Sequence, residues 1–337
     1  MRLRRLIATA LGLAVAAASF VFVLPRIADY RSAWRVIEQL SPPQIGLLAV
    51  AVILNLVTFA PAWMAALPGL GFVRAFIVTQ ASTASTYIAP GGAAVGVALS
   101  YAMLRRWGFG LAAVGLAAAL TGIWNQLALL GFPAVALVLL TIKKEQNALL
   151  QSVALLGLVA FVVAAGVFAA ALSSAKLARR AGDAASRAVT RAGRLVGRRP
   201  VLWNGESFVR FRASAIGLLR HRWHVLTLST LAGQLTVFLL CLVSLRVLGV
   251  SSHEVSAVEA FAAWSLVRLL GSLPITPGGI GVVEVGMTTA LVGFGGHNAE
   301  VVAAVLLYRF LSIVPTLLLG VAAGVVWRRL TPADVKI

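Results

Sequence analysis

The chain alternates between long apolar runs and short polar or basic stretches. Apolar runs of about 18 residues or more predict membrane-spanning helices. The runs are Leu6–Leu24, Ile45–Ala66, Phe72–Leu104, Leu111–Leu140, Leu149–Leu172, His224–Leu248, Val255–Phe294 and Val301–Trp327. The pattern therefore predicts an all-α polytopic membrane protein.

Two of the runs are too long for one helix, and each contains a Pro-Gly-Gly break. The first break is APGG at Ala89–Gly92, and the second is PITPGG, which ends at Gly279. Non-helical backbone at membrane depth is tolerated only inside protein or beside a water-filled cavity. We therefore expect two re-entrant helical hairpins, over 72–104 and 255–294.

Composition and charge agree with a membrane protein. Of the 337 residues, 60% are hydrophobic and only 12% are charged, whereas soluble domains have about a quarter charged. The net charge of +19 would suggest nucleic acid as the partner of a soluble protein. Here the basic residues lie between the apolar runs, as the positive-inside rule requires, so we expect no nucleic-acid partner.

The basic residues also predict the orientation. The linker Ser173–Arg222 carries twelve basic and two acidic residues and is expected in the cytoplasm, together with the basic residues near both termini. These regions share one side of the membrane only if both hairpins return to the side from which they enter. The prediction is six spans and two hairpins, with both termini cytoplasmic. For Leu6–Leu24 a cleavable signal peptide is the alternative, but the run is longer than the usual core of roughly 7–15 residues, which favours a span.

The two hairpins resemble each other. APGGAAVGVALSYAML aligns with TPGGIGVVEVGMTTAL at a constant offset of 187 residues. On the predicted topology the two hairpins enter from opposite sides, which is typical of the inverted repeats of secondary transporters. Chance similarity of two Pro-Gly-Gly breaks is the alternative.

The second break has the composition of an anion site at a helix N-terminus. Thr276 is expected as the N-cap, and Pro277 as the first helical residue. Gly278 and Gly279 would then present free N–H groups at the positive end of the helix, a position that suits a phosphate oxygen. Pro90, Gly91 and Gly92 repeat this pattern. A plain turn that lets two short helices pack closely is the alternative.

Charged residues are predicted at matching depths beyond the second break. Glu284 and Arg309 lie at equal distances from a short loop near Gly296, so antiparallel helices would hold them together, and Arg268 lies at a comparable depth. A lone charge at mid-membrane costs about 2.5–3.5 kcal/mol or more, so we expect pairing. The excess positive charge would face an anionic headgroup. A purely structural Glu284–Arg309 brace is the alternative.

The linker has the pattern of a basic amphipathic helix. Five arginines recur at helical spacing and would bind anionic lipid at the membrane surface: Arg180, Arg187, Arg191, Arg194 and Arg198. A topology-setting elbow is the alternative. The histidines and Cys241 show no metal-ligand spacing, and neither a nucleophile elbow nor a nucleotide-binding loop occurs. We therefore expect no metal, no cofactor and no catalytic residue.

Two motifs resemble the lysylphosphatidylglycerol synthase transmembrane-region family, also called flippase-like proteins. They are LPITPGGIGVVE and LLYRFLSIVPTLLLG, the latter at Leu306–Gly320, and the resemblance covers most of the chain. The family residues that match are Pro277, Gly278, Gly279, Gly281, Glu284, Tyr308, Arg309 and Pro315. In fuller-length relatives this region moves an aminoacylated phospholipid between leaflets, and a separate soluble domain makes that lipid. Because the chain ends at Ile337, the resemblance implies transport without synthesis.

The first half departs from the family pattern. Many relatives have a Gly-Glu pair after the first break, whereas this chain has GGAAVGVALS, without an acidic residue. The departure argues against a cationic aminoacyl substrate and against a mechanism that needs two carboxylates.

Together these features predict one flippase-like transmembrane domain over 1–337. Its first half, 1–172, contains hairpin 72–104; the linker is 173–222; the second half, 223–337, contains hairpin 255–294. The expected function is translocation of an anionic phospholipid or a polyprenyl-phosphate-linked glycolipid across the bacterial inner membrane. The expected substrate-binding residues are Pro90, Gly91, Gly92, Arg268, Thr276, Pro277, Gly278, Gly279, Gly281, Glu284, Tyr308 and Arg309.

The sequence is also compatible with two other functions. One is a membrane-embedded lipid or glycan transferase that uses acidic residues near the outer interface: Glu254, Glu259 and Glu300. The other is a scaffold that recruits envelope-biosynthesis partners through the basic linker. Membrane lipids are the expected partners. The sequence is also compatible with a homo-oligomer or with partner proteins of envelope biosynthesis.

Overall fold

A computed structural model of the chain describes residues 38–88, 92–142, 148–195, 204–272 and 276–330. This part of the chain consists of helices joined by turns and contains no β-strand. The prediction of an all-helical fold is confirmed. The predicted first span, Leu6–Leu24, lies outside the described residues.

Most of the helices coincide with the apolar runs, and the helix Ala175–Leu195 lies in the basic linker. The helices are α1 Pro42–Val57, α2 Ala60–Ala66, α3 Phe72–Ile88, α4 Gly92–Arg106, α5 Leu111–Ile142, α6 Ala148–Ser173, α7 Ala175–Leu195, α8 Gly205–Val247, α9 Ala257–Gly271, α10 Val282–Gly293 and α11 Asn298–Val326. Short 3-10 turns occupy Pro277–Gly279 and Trp327–Arg329.

Four segments of the described chain are long and apolar enough to cross a membrane. They are Pro42–Ala66, Leu111–Ile142, Gly205–Val247 and Asn298–Val326. Shorter apolar segments are Gly157–Ser173, which is part of α6, and Val282–Gly293, which is α10. The protein is thus a multi-pass membrane protein, while the total of six spans and two hairpins remains a prediction.

The interrupted runs form pairs of short helices. Helix α3 has 17 residues and packs along α4, which has 15; α9 has 15 residues and packs along α10, which has 12. At about 1.5 Å per residue these helices are roughly 18–25 Å long, which is less than the ~30 Å hydrocarbon core of a bilayer. Their lengths are compatible with re-entrant hairpins.

The linker is mostly helical. Helix α8 begins at Gly205, not at His224 as predicted, because Asn204 caps it by accepting a hydrogen bond from the Ser207 N–H. Its 43 residues span about 65 Å, roughly twice the hydrocarbon thickness. Helix α7 packs against the start of α8, where Asp183 accepts a hydrogen bond from the Gly205 N–H at 2.8 Å.

Helix α7 has the basic surface that the sequence predicts. Arg180, Arg187, Arg191 and Arg194 are exposed, and Arg198 lies outside the described residues. Its opposite face holds Gly182 against the Phe208 ring, where any larger side chain would collide. The helix is therefore anchored on one face to α8, and its contact with a membrane surface remains a prediction.

Candidate functional site

The end of α3, which precedes the first break, contacts the second break. The Tyr87 ring, near the end of α3, packs on Gly278 in the second break. A Cβ at position 278 would overlap this ring and lie 2.7 Å from Cε1, and the φ of +62° is also one that L side chains rarely adopt. The end of α3 is thus in contact with the second break, whereas the inverted relationship of the two hairpins remains a prediction.

The second break is longer than the sequence analysis predicts. Pro277–Gly279 forms a 3-10 turn in which the Gly279 N–H donates to the Thr276 carbonyl at 3.2 Å. Because Gly278, Gly279 and Gly281 all have positive φ, a right-handed α-helix cannot pass through them, and α10 begins only at Val282. The predicted helix start at Thr276 and Pro277 is wrong.

Glu284 caps its own helix and also forms the predicted ion pair. Its Oε2 accepts a hydrogen bond from the Gly281 N–H at 2.6 Å, and its Oε1 accepts one from Arg309 Nε at 2.6 Å. Arg309 Nη2 also donates to the Gly278 carbonyl at 3.0 Å. The pairing across α10 and α11 is confirmed, and the positive end of α10 faces a carboxylate of the protein itself.

The first break is a close contact between helices. Pro90 and Gly91 lie outside the described residues, and Gly92 is the first residue of α4. Ser85 Oγ donates to the Gly92 carbonyl at 3.1 Å, and a Cβ at position 92 would lie 2.6 Å from Thr86 Cα. This geometry fits the alternative in which the glycine permits close packing.

A cavity of about 390 Å³, which the sequence pattern does not predict, has Tyr87 and Arg309 in its lining and so adjoins the second break. Residues of α1, α2, α3, α4, α5, α8, α9 and α11 line it, including Arg268, Tyr308 and Arg309. Its polar lining is otherwise made of amides and hydroxyls: Asn55, Thr79, Gln80, Ser82, Thr83, Thr86, Tyr87, Ser100, Thr121, Asn125, Thr230, Gln234, Ser312 and Thr316. The available signal was TQASTAST at Thr79–Thr86, an unusually polar stretch for a membrane helix.

Arg268 gives this polar cavity its net charge. Its Nη2 donates to Gln234 Oε1 at 2.7 Å, Gln234 Nε2 donates to Asn125 Oδ1 at 3.0 Å, and the guanidinium carbon lies 5.3 Å from the centre of the Trp264 ring. These partners are neutral, and among the described residues no acidic group forms an ion pair with Arg268. Because Glu284 pairs with Arg309, the described lining of the cavity carries about one positive charge without an acidic partner.

Two polar atoms of the lining have no hydrogen-bond partner among the described residues. They are Asn55 Nδ2 and Thr230 Oγ1, both buried. A buried donor or acceptor without a hydrogen-bond partner is costly, so we expect a polar ligand or a water molecule to bind at these two atoms. The Thr276 hydroxyl is also buried and has no partner in the described part of the chain, but Thr276 does not line the cavity.

The described residues contain no cluster of three or more histidine, cysteine or acidic side chains that could hold a metal ion. The polar groups of the cavity are hydrogen-bonding and cationic groups. The arrangement can therefore bind an anion that also carries hydroxyl or ester oxygens.

The family model described as "Lysylphosphatidylglycerol synthase TM region" matches residues 9–320. The chain belongs to this family, and the resemblance carried by the two motifs is confirmed. Membership relates the chain to membrane proteins of lipid or glycan handling. Comparison with curated protein sequences gives no significant match.

Proposed function

We propose that the protein moves an anionic phospholipid or a polyprenyl-phosphate-linked glycolipid between the leaflets of the bacterial inner membrane. The observation that carries the proposal is the polar cavity, which lies among membrane helices and contains the half-buried Arg268, without an acidic partner among the described residues. A cation at membrane depth is costly unless an anion balances it. The phosphodiester of a lipid headgroup has the required single negative charge.

The rest of the lining suits the remainder of a headgroup. Amide and hydroxyl side chains can exchange hydrogen bonds with the hydroxyls of glycerol or sugar and with ester oxygens. Asn55 Nδ2 and Thr230 Oγ1 are two groups that such a ligand would satisfy. A headgroup that leaves water could thus regain hydrogen bonds while it crosses the membrane.

In this proposal Glu284 and Arg309 position the cavity wall. Both carboxylate oxygens of Glu284 accept hydrogen bonds, and Arg309 also holds the Gly278 carbonyl. These contacts fasten the second break to α11, beside Tyr308. They support a bracing role for Glu284, with Arg268 as the residue that pairs with the phosphate. Since the sequence has no nucleotide-binding loop, we infer downhill or ion-coupled movement.

The transferase alternative has less support from the outer acidic residues. Glu259 Oε2 accepts a hydrogen bond from the Ser256 N–H at 2.6 Å, and Glu254 Oε2 accepts one from the Ser251 N–H at 2.7 Å. The Ser251 N–H, followed by its hydroxyl, holds the pKa of Glu254 below its ordinary value. These carboxylates cap local turns, and a lowered pKa does not suit a general acid at neutral pH.

The scaffold alternative has one observation in its favour, the exposed arginines of α7. Because α7 packs on α8, it presents a fixed basic surface to a lipid headgroup layer or an acidic partner. This surface is compatible with transport as well, since it can hold the cytoplasmic side of the protein at an anionic membrane.

A leaflet-exchange assay tests the proposed function. Purified protein is placed in liposomes with fluorescent phosphatidylglycerol or a fluorescent polyprenyl-phosphate sugar, and an impermeant reductant bleaches the outer leaflet. We expect bleaching beyond one half. Arg268→Gln should slow exchange roughly tenfold or more, because a hydrogen bond to a charged group contributes about 1.5–3 kcal/mol.

Arg220→Gln is the matched control, since it removes an exposed arginine of α8 that does not line the cavity and should leave the exchange rate unchanged. A plateau at one half for every lipid, in folded wild-type protein, would contradict transport. Equal rates for wild type and Arg268→Gln would contradict the role of the cavity.

A further inference from the structure

A second cavity, apolar and of about 640 Å³, lies between α5, α6 and α8. We call it the apolar groove. Its wall includes Trp124, Phe132, Val135, Phe161 and Leu231. Its polar groups are few, and the indole N–H of Trp124 is satisfied by the Thr227 hydroxyl at 2.9 Å. The groove thus presents a hydrocarbon surface that needs no polar ligand.

The apolar groove and the polar cavity adjoin each other at Thr230. This residue lines both, and neighbouring residues divide between them: Asn125 lines the polar cavity and Trp124 the groove, while Gln234 lines the polar cavity and Leu231 the groove. Thr230 is only 3% exposed, and its hydroxyl has no partner among the described residues. A buried hydroxyl therefore lies where the polar lining and the apolar lining adjoin.

This juxtaposition matches the covalent structure of a lipid. A headgroup held in the polar cavity stays attached to its hydrocarbon chain, so the cavity needs an adjacent apolar site through which that chain can leave. Oxygen atoms of an ester or phosphate lie at the junction of the two parts, where the Thr230 hydroxyl would meet them.

We propose that the apolar groove holds a hydrocarbon chain of the same anionic lipid whose headgroup occupies the polar cavity, with Thr230 hydrogen-bonded to the linkage oxygen. The proposal rests on the proposed function and adds the binding site of the chain. Both parts of the ligand are then bound by one protein surface built from α5 and α8.

Photo-crosslinking tests the proposal on the full chain in phosphatidylcholine nanodiscs. The probe is phosphatidylglycerol with a diazirine near the end of one acyl chain, and mass spectrometry locates the labelled residues. We expect labelling on groove residues of α5 and α6. Ala134→Trp, which fills the groove, should lower that labelling at least fivefold.

Two variants control for folding and for general bilayer contact. Val163→Trp places a tryptophan on α6 at a residue that is 58% exposed and does not line the groove. The groove residues of this variant should be labelled to the same extent as those of the wild type. If Ala134→Trp does not fold, Val138→Trp fills the groove from an exposed position of α5. Equal groove labelling by a phosphatidylcholine diazirine probe would overturn the proposal, because the groove would then be an ordinary bilayer contact.

Glycerophosphoglycerol, the headgroup without chains, separates this inference from the proposed function. We expect it to bind wild type and Ala134→Trp equally and Arg268→Gln at least tenfold more weakly. Headgroup binding without labelling of the groove would overturn the chain site alone. If the groove is labelled but glycerophosphoglycerol does not bind, the claim that one lipid occupies both sites is wrong, and so is the proposed headgroup site.

Discussion

At the scale of single residues, the two intramembrane arginines have different surroundings and therefore different roles. Arg309 is 8% exposed and is held by Glu284, which is 1% exposed, and by the Gly278 carbonyl. Arg268 lies between the neutral Gln234 amide and the Trp264 ring, at the cavity wall. The structure thus distinguishes an arginine in an ion pair from one whose described partners are all neutral. The sequence places both arginines at a similar depth and could not show this difference.

Glu284→Gln tests the bracing pair. It should destabilise the protein by about 3–5 kcal/mol, because it leaves the buried guanidinium of Arg309 without its counter-charge. The measurement is the thermal unfolding midpoint in detergent. Glu284→Gln combined with Arg309→Met should recover much of the loss, since the double variant contains no unpaired charge.

Glu206→Gln is the matched control for this series, because Glu206 pairs with Arg179 where both side chains are about half exposed. Its effect should be about 1 kcal/mol or less. If Glu284→Gln has an effect this small, or if the losses of the two single variants simply add in the double variant, the bracing role is wrong.

At the scale of helices, the apolar runs predicted most elements, and the breaks and the Glu284–Arg309 pair were also predictable. The start of α10 was not, because three glycines with positive φ extend the break to Gly281. The polar cavity was also missed, because its lining comes from residues as distant in sequence as Asn55, Asn125 and Gln234. The sequence does not show which of its isolated polar residues line the same cavity.

Close helix packing explains one glycine of α11 and gives a prediction. A Cβ at Gly320 would collide with Ala84 Cβ and lie 2.9 Å from the Gln80 carbonyl oxygen, whereas one at Gly324 meets no atom within 4 Å. Gly320→Ala should lower the thermal unfolding midpoint and slow leaflet exchange, because it forces α11 away from α3 at the cavity wall.

Gly324→Ala is the internal control on the same helix. It should leave exchange unchanged and be neutral or stabilising by up to about 1 kcal/mol, since alanine favours helix over glycine. Equal behaviour of the two variants would show that the close approach of α3 and α11 does not matter for stability or for exchange.

At the scale of the whole molecule, a polar and an apolar site lie next to each other among the membrane helices. Tyr87, at the end of α3, contacts Gly278 in the second break and lines the polar cavity, and Thr230 lines both sites. Helix α7 packs on the start of α8 and carries exposed arginines. The central claim is that a lipid headgroup crosses through the polar cavity.

Site-specific blockage of the cavity tests this claim most directly. The chain has one cysteine, Cys241, so Cys241→Ala gives a cysteine-free background into which Thr83→Cys is placed at the cavity wall. A charged methanethiosulfonate reagent then attaches a sulfonate group, and leaflet exchange is measured before and after. Ser252→Cys, in the exposed loop after α8, is the control. We predict that modification abolishes exchange in the Thr83→Cys protein and leaves the Ser252→Cys protein active; full modification of Thr83→Cys with an unchanged exchange rate would contradict passage through the cavity.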